Sequence, residues 1–232
     1  MDCKAVKRVT VFAGHYGSGK TNIAVNYALE QKKGFDRVAI ADLDIVNPYF
    51  RSKDAMDVLE ENGVRLISSP FANTNVDTPA LPAEAYALVH DKECRAIIDV
   101  GGDDRGALAL GRYAPDIKAE DDYEALLVIN MYRPLTANAR DCAEIMREIE
   151  NSASIPFTGI VNNSNLGSAT TAEDVLESVE YANEVSRLTG LPIKYTCVRE
   201  GLYEALKDRI ENLKPIRLYV RQSFDRRRNE DA

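Results

Sequence analysis

The sequence predicts an α/β fold: a doubly wound, mostly parallel sheet flanked by helices on both faces, in three α/β/α layers. Three observations predict it. Seven short apolar runs recur along the chain, several of them continuous, as parallel strands covered on both faces require. Helix-like stretches with apolar residues at three- and four-residue steps lie between them. The first run leads straight into a glycine-rich turn, Gly14-His15-Tyr16-Gly17-Ser18-Gly19-Lys20-Thr21, and then into a helix-like stretch over 22–32.

Taken in order, the expected strands are 8–13, 38–41, 64–68, 96–100, 125–130, 157–161 and 193–197. Ser52 is placed to cap a helix reaching Asn62, with Gly63 at its C′ position. Leu135, Ala139, Cys142, Met146 and Ile149 mark one helical stripe. Thr170-x-x-Glu173 reads as a capping box ahead of Val175, Val179, Ala182 and Val185, and Gly190 with Pro192 stops that helix. Leu202, Leu206, Ile210 and Leu213 form a further stripe. The tail is ambiguous. Residues 216–221 alternate like an edge strand, while Ile216, Tyr219, Val220 and Phe224 also fit a helix face, with Arg226-Arg227-Arg228 beyond. The expectation is one nucleotide-binding domain over 1–232, with 214–232 as a C-terminal extension and no linker or internal repeat.

Composition excludes several classes. The 232 residues are 45% hydrophobic and 28% charged, ordinary for a globular protein. A net charge of −8 disfavours nucleic acid as a partner. No apolar run approaches the roughly 18 residues of a membrane helix, and the amino terminus lacks a signal-peptide core. A cytoplasmic location is the expectation, and a membrane is not an expected partner. Cys3, Cys94, Cys142 and Cys197 are far apart and form no C-x-x-C, so neither a disulfide framework nor a local zinc site is supported. Cys94 and Cys142 read as buried thiols. A cluster shared between two chains would need only one Cys from each.

The glycine-rich turn fits G-x-x-x-x-G-K-[ST] without mismatch, in the strand–loop–helix setting that the motif needs. Gly14, His15, Tyr16, Gly17, Ser18, Gly19, Lys20 and Thr21 are therefore the expected phosphate cradle. Glycines let the backbone curl so that N–H groups face phosphate oxygens, and the next helix adds the positive end of its dipole. Lys20 is expected to reach the β- and γ-phosphates as a catalytic cation, and the Thr21 hydroxyl to ligate Mg²⁺.

Three more segments follow strand ends, where ligands of such sheets bind. Asp42 and Asp44 in Ala41-Asp42-Leu43-Asp44 share a side of an extended chain. Asp42 is a candidate metal ligand and equally a strand-end polar residue; Asp44 is the candidate that orients water. Asp99, closing the run Ala96-Ile97-Ile98-Asp99, has the Walker B arrangement for reaching Mg²⁺. Gly102 in Val100-Gly101-Gly102-Asp103 can offer its N–H to a γ-phosphate. Asn162-Asn163-Ser164-Asn165 lacks the acid of N-K-x-D that accepts from guanine, while an Asn amide suits an adenine edge. ATP is favoured over GTP on this ground.

With these segments in place, roughly residues 8–200 resemble the deviant-Walker ATPases, the MinD/ParA/nitrogenase-iron-protein group of the SIMIBI class (the CobQ/CobB/MinD/ParA nucleotide-binding family). The resemblance implies Asp44 as the residue positioning the hydrolytic water, Asn163 on the adenine, and an ATP-dependent homodimer. The signature lysine of the group falls at position 15, where this chain has His15. The cysteines do not sit where the iron protein's cluster ligands do, so cluster-driven reduction does not carry over.

The expected function is an ATP-binding, ATP-hydrolysing switch, slow or partner-stimulated, acting on an unknown protein partner with Mg²⁺. Two alternatives share the fold. One is a small-molecule ATP-dependent synthetase or kinase of the dethiobiotin-synthetase type, for which Arg51, Arg105 and Arg133 are candidate substrate contacts and equally surface charges. The other is a GTPase metallochaperone, which would need metal ligands and a guanine reader. Asn47-Pro48-Tyr49-Phe50-Arg51 reads as a partner surface or as a packed loop. Asp44→Ala is expected to keep Mg-ATP binding and lose turnover, because positioning water is a transition-state role. Single-turnover hydrolysis checks this; turnover equal to wild type moves the role to Asp42.

Overall fold

A strand covered on both faces buries every residue, and β1 (Val9–Ala13) does so along its whole length. The computed structural model describes residues 6–43, 53–68 and 83–219. After β1 come α1 (Lys20–Lys32), β2 (Val38–Leu43), α2 (Lys53–Glu61), β3 (Arg65–Ser68), α3 (Ala83–His90) and β4 (Arg95–Val100). Then follow α4 (Asp104–Gly111), α5 (Ala114–Glu120), β5 (Tyr123–Ile129), α6 (Ala139–Ala153), β6 (Gly159–Asn162), α7 (Ala172–Thr189), β7 (Ile193–Arg199), α8 (Glu200–Leu206) and β8 (Leu213–Ile216). The strands form one sheet in the order β3-β2-β4-β1-β5-β6-β7-β8, with every pair parallel.

Side chains of successive strand residues face opposite layers, and the two layers follow from that. Val9, Val11 and Ala13 of β1 join Ala96, Ile98 and Val100 of β4 in a core covered by α3 to α7. Phe12 and Ile97 face the other way, onto Ile23, Ala24, Tyr27 and Ala28 of α1. A smaller cluster of Val175, Val198, Leu206 and Ile210 seats α8 against α7 and β7.

All seven expected strands are present, each within two residues of its expected ends. Three local expectations need correction. Leu213 does not continue the stripe of Leu202 and Leu206. Helix α8 ends at Leu206, the chain turns through Asn212 at φ 51°, and Leu213 opens β8 beside β7. The extension expected from residue 214 therefore begins with a strand of the sheet. The capping box of α7 is Thr171 with Asp174, not Thr170 with Glu173. Thr170 instead donates its hydroxyl to the Gly167 carbonyl at 2.8 Å and accepts from the Leu166 amide. Leu135 lies in a 3₁₀ turn ahead of α6 and is exposed. Gly63 and Gly190 take the positive φ expected of helix stops. Asp44, the 47–51 segment, Ser52, Cys3 and the Arg226-Arg227-Arg228 run lie outside the described residues.

The amino-terminal edge of the sheet is held by a buried ion pair. Arg8 at the foot of β1 and Glu120 at the end of α5 are 5% and 7% exposed, and the guanidinium meets both carboxylate oxygens. Its remaining donors reach the carbonyls of Asp91 at 2.8 Å and Cys94 at 3.2 Å, and Lys92 Nζ adds a 2.8 Å contact to Glu120. The Arg8 hydrogen bonds hold the Glu120 carboxyl below its usual range. A depressed carboxyl stabilises the fold above the unfolded-state value and loses that contribution as pH falls through the folded value. Glu120→Gln is therefore expected to cost about 3 kcal/mol at pH 7. The gap to wild type should narrow as pH falls below the unfolded-state value of about 4 and close in stronger acid, once pH is below the depressed folded value. Urea unfolding at pH 7 and in that stronger acid checks this; a gap that persists in acid removes the ion pair as its cause.

Candidate nucleotide-binding site

The loop between β1 and α1 curls with its carbonyls turned to the protein. The His15 carbonyl accepts from Lys20 Nζ at 3.1 Å and from the Ser18 amide at 3.2 Å. The Tyr16 carbonyl lies 3.1 Å from His15 Nδ1, which makes that ring nitrogen the donor. The Gly17 carbonyl accepts from Arg133 Nε at 2.8 Å, and the Ser18 carbonyl from Asn163 Nδ2 at 2.8 Å. The Gly19 carbonyl takes the first helical bond, from the Ile23 amide at 3.2 Å. Five consecutive carbonyls are thus engaged.

That arrangement leaves the opposite, amide-rich side of the loop for an anion. Helix α1 starts at Lys20 with no side-chain cap and no acid in its first turn. Its first N–H groups and dipole are not met by a carboxylate of its own. Ser18 Oγ is buried with no hydrogen-bond partner among the described residues. Gly19 has φ 86°, and a Cβ there would stand 2.4 Å from Asn163 Nδ2, so the clamp on Ser18 requires glycine. Gly14 lies against the Val128 carbonyl of β5.

Two carboxylates stand beside this loop. Asp42 of β2 and Asp99 of β4 are register partners, and Asp99 in turn pairs with Phe12 of β1. All three share the parity of Ile40 and Ile97, whose side chains face α1. Asp42 and Asp99 therefore point to the layer in which Thr21 begins its helix. Asp99 is 2% exposed. A buried carboxylate in the same layer as a threonine hydroxyl at the start of α1 belongs to a hard-oxygen set of the kind that fits Mg²⁺. Beyond β4, Gly102 presses onto the loop. A Cβ there would meet the Tyr16 backbone at 2.6 Å and Lys20 Nζ at 2.9 Å, so only glycine brings this backbone so close to Lys20. Asp103 caps α4, accepting from the Gly106 amide at 3.0 Å.

The segment after β6 divides its asparagines. Asn162, fully buried, donates to the Ser178 hydroxyl of α7 at 2.9 Å. Asn163 turns the other way and grips the loop at Ser18. One Nδ2 hydrogen is used on that carbonyl, which leaves the second hydrogen as a donor and Oδ1 as an acceptor. Asn165 folds back on the Asn163 carbonyl at 2.7 Å.

Arg133 is the residue that sequence reasoning undervalued. It counted only as a candidate substrate contact, yet its guanidinium holds the Gly17 carbonyl. The loop that carries it is itself anchored: Thr136 Oγ1 donates to the Asn130 carbonyl at 2.7 Å and Tyr181 Oη to the Thr136 carbonyl at 2.6 Å. No sequence spacing signals a contact 116 residues away. Arg105 is exposed on α4, away from these bonds. Cys94, Cys142 and Cys197 are buried, and burial pushes all three thiols up. No group of three or more metal-ligating side chains occurs among the described residues. No helix among them is long and apolar enough to cross a membrane.

No family model matches the chain, and no curated protein matches it. Solved structures do. The cell division protein FtsY from Thermotoga maritima is 22% identical with a TM-score of 0.59, covering 86% of this chain and 66% of that one. FtsY from Mycoplasma mycoides is 20% identical with a TM-score of 0.54, covering 83% and 60%. The Signal Recognition Particle 54 kDa protein from Aeropyrum pernix, solved in complex with GDP, is 19% identical with a TM-score of 0.51, covering 83% and 42%. At such identities the likeness establishes the fold alone, the three-layer α/β/α architecture of P-loop NTPases, and does not single out a branch of it. The chain spans about two thirds or less of the length of these neighbours.

Arg133→Ala is expected to weaken nucleotide binding about tenfold, the loss of one charge-assisted hydrogen bond that shapes the cradle. Titration with a fluorescent nucleotide, beside a thermal melt, checks this. An unchanged affinity in a folded variant removes Arg133 from the site.

Proposed function

We propose that this chain is an ATP-binding, ATP-hydrolysing switch of the MinD/ParA type that acts on a protein partner. The observation that carries the reading is the loop, whose five carbonyls are all taken by the protein's own donors beside Lys20, Thr21 and two registered carboxylates. Such a cradle is built for the charge of a polyphosphate. Lys20 holds phosphate charge, and Thr21 with Asp42 and Asp99 would hold Mg²⁺. Bound there, the metal neutralises phosphate charge and orients it. Asp44 is the residue assigned to orient the attacking water. Gly102, already against Tyr16 and Lys20, is placed to sense a γ-phosphate through its amide and to relay its loss through α4.

Asn163 supports adenine as the base: with one Nδ2 hydrogen on Ser18, its Oδ1 can accept from adenine's exocyclic amine. A GTP-driven switch is the second reading, because the Aeropyrum pernix protein of the same fold was solved with GDP. An ATP-dependent homodimer belongs to the first reading. His15, standing where a lysine would reach across, gives that dimer a shorter contact and more dependence on the partner.

Calorimetric titration tests the assignment. Lys20→Ala should lower ATP affinity about a hundredfold or more, worth some 3 kcal/mol of charge-assisted contact. GTP should compete against labelled ATP about tenfold more weakly than ATP does, and Asn163→Ala should erase that ratio. Unchanged binding in Lys20→Ala removes the loop as the phosphate site; GTP competing better than ATP selects the second reading.

A further inference from the structure

The described chain continues past strand β8. Residues 217–219 continue as an extended strap across the first two turns of α1. Asn26 pairs with the Arg217 peptide at both groups: its Nδ2 donates to the Arg217 carbonyl at 2.8 Å, and its Oδ1 accepts from the Arg217 amide at 3.0 Å. One turn earlier, Asn22 Oδ1 accepts from the Tyr219 amide at 2.9 Å. Arg217 Nε also meets Glu200 at 2.7 Å, which ties the strap to the start of α8. Asparagine is a poor choice inside a helix, since its side chain competes for backbone hydrogen bonds. Two of them, one turn apart on α1, are explained by the strap they hold. Asn22 directly follows Thr21, so the strap is fastened to the helix turn that opens the phosphate cradle.

Alternation along the strap sends its side chains to two sides. Arg217 and Tyr219 face the groove between α1, α2 and β8. Leu218 faces the carboxyl ends of β6 and β7, where it lines a narrow cleft with Asn163, Asn165, Cys197 and Arg199. That cleft measures about 10 Å³, room for one water and not for a ring. Leu218 is 39% exposed, a large apolar side chain left partly open beside the asparagine that grips the phosphate loop.

We propose that the strap forms one wall of the nucleobase subsite, with the exposed flank of Leu218 packing against the base that Asn163 reads. This rests on reading the loop as the nucleotide site, and it adds a specificity-determining residue that lies outside every motif of the loop. A base lying over the cleft rather than in it touches Leu218 on one face and offers its edge to Asn163 Oδ1. Because Asn22 and Asn26 fix the strap to α1, the wall and the phosphate cradle are held in one register.

The test compares Mg-ATP with Mg-tripolyphosphate, which carries the charge and lacks the base. Calorimetry on the full chain should show Leu218→Ala weakening ATP about fivefold, the worth of roughly 1 kcal/mol of lost apolar burial, with tripolyphosphate unchanged. Leu218→Met should restore ATP affinity, and Asn26→Ala, which frees the strap, should repeat the selective loss. Tripolyphosphate binding doubles as the control for folding. ATP affinity that is unchanged or tighter in Leu218→Ala overturns the proposal, as does an equal loss for both ligands, which would place the strap's effect on the loop instead. Wild type that binds neither ligand overturns the nucleotide reading itself and the wall with it; wild type that binds both leaves the Leu218 comparison to decide the wall alone.

Discussion

A peptide group cannot present its N–H and its C=O to the same side, and the candidate anion cradle between β1 and α1 depends on that constraint. For amides of this loop to face an anion, the carbonyls of residues 15–19 must find donors elsewhere, since each buried carbonyl without one would cost about 1–3 kcal/mol. Some donors are local, Lys20 and Ile23 of α1 and the His15 ring, and two come from distant parts of the chain, Arg133 after β5 and Asn163 after β6. Strand order makes this feasible. With β1 between β4 and β5, and β6 next, three strand ends converge on the loop, and Gly102 arrives from the fourth side. The sheet topology is thus part of the site, not a platform beneath it.

The donors from β5 and β6 are themselves held by a buried amide network. Asn130 Oδ1 accepts from the Tyr132 amide at 3.0 Å and from the Asn165 amide at 3.3 Å. The Met131 amide donates to Ser164 Oγ at 3.0 Å, and Asn162 joins the strand end to α7 through Ser178. Asn130, Asn162, Asn163 and Ser164 are all buried. A network of this kind is rigid when every member is satisfied and expensive when one is not. Its effect is to fix Arg133 and Asn163 in space, and through them the Gly17 and Ser18 carbonyls. Loss of any one asparagine should therefore be felt at the phosphates as well as in the core.

What could be read from the chain follows from how local each signal is. The loop motif, the seven strands and the Asp99 strand end are written in consecutive residues, and the structure places them accordingly. Strand β8 is short, and Leu213 stands at helical spacing from Leu206 and Ile210; only the left-handed turn at Asn212 and the pairing with β7 reveal it. The capping box slipped by one residue because Thr170 and Thr171 both have an acid three positions on, and tertiary bonds of Thr170 to Gly167 and Leu166 choose between them. Arg133 and the Asn22–Asn26 clamp were illegible for a different reason. Their partners are backbone groups, which have no sequence identity to be recognised, and they lie 116 to 197 residues away.

The two edges of the sheet divide their labour in physical terms. At the amino edge every guanidinium donor of Arg8 is matched, by Glu120 and by the carbonyls of α3 and the turn beyond it. At the carboxyl edge α1 begins without a side-chain cap, a buried Ser18 hydroxyl has no partner among the described residues, and a glycine backbone is pressed against a lysine. These features cost stability in the protein alone and would regain it when an anion supplies the acceptors. A ligand of that kind should therefore stabilise the fold by more than its contact area suggests, because it also satisfies groups that the chain leaves unmatched. The cost is tolerable because the opposite edge and the two apolar layers carry the fold without help from the site.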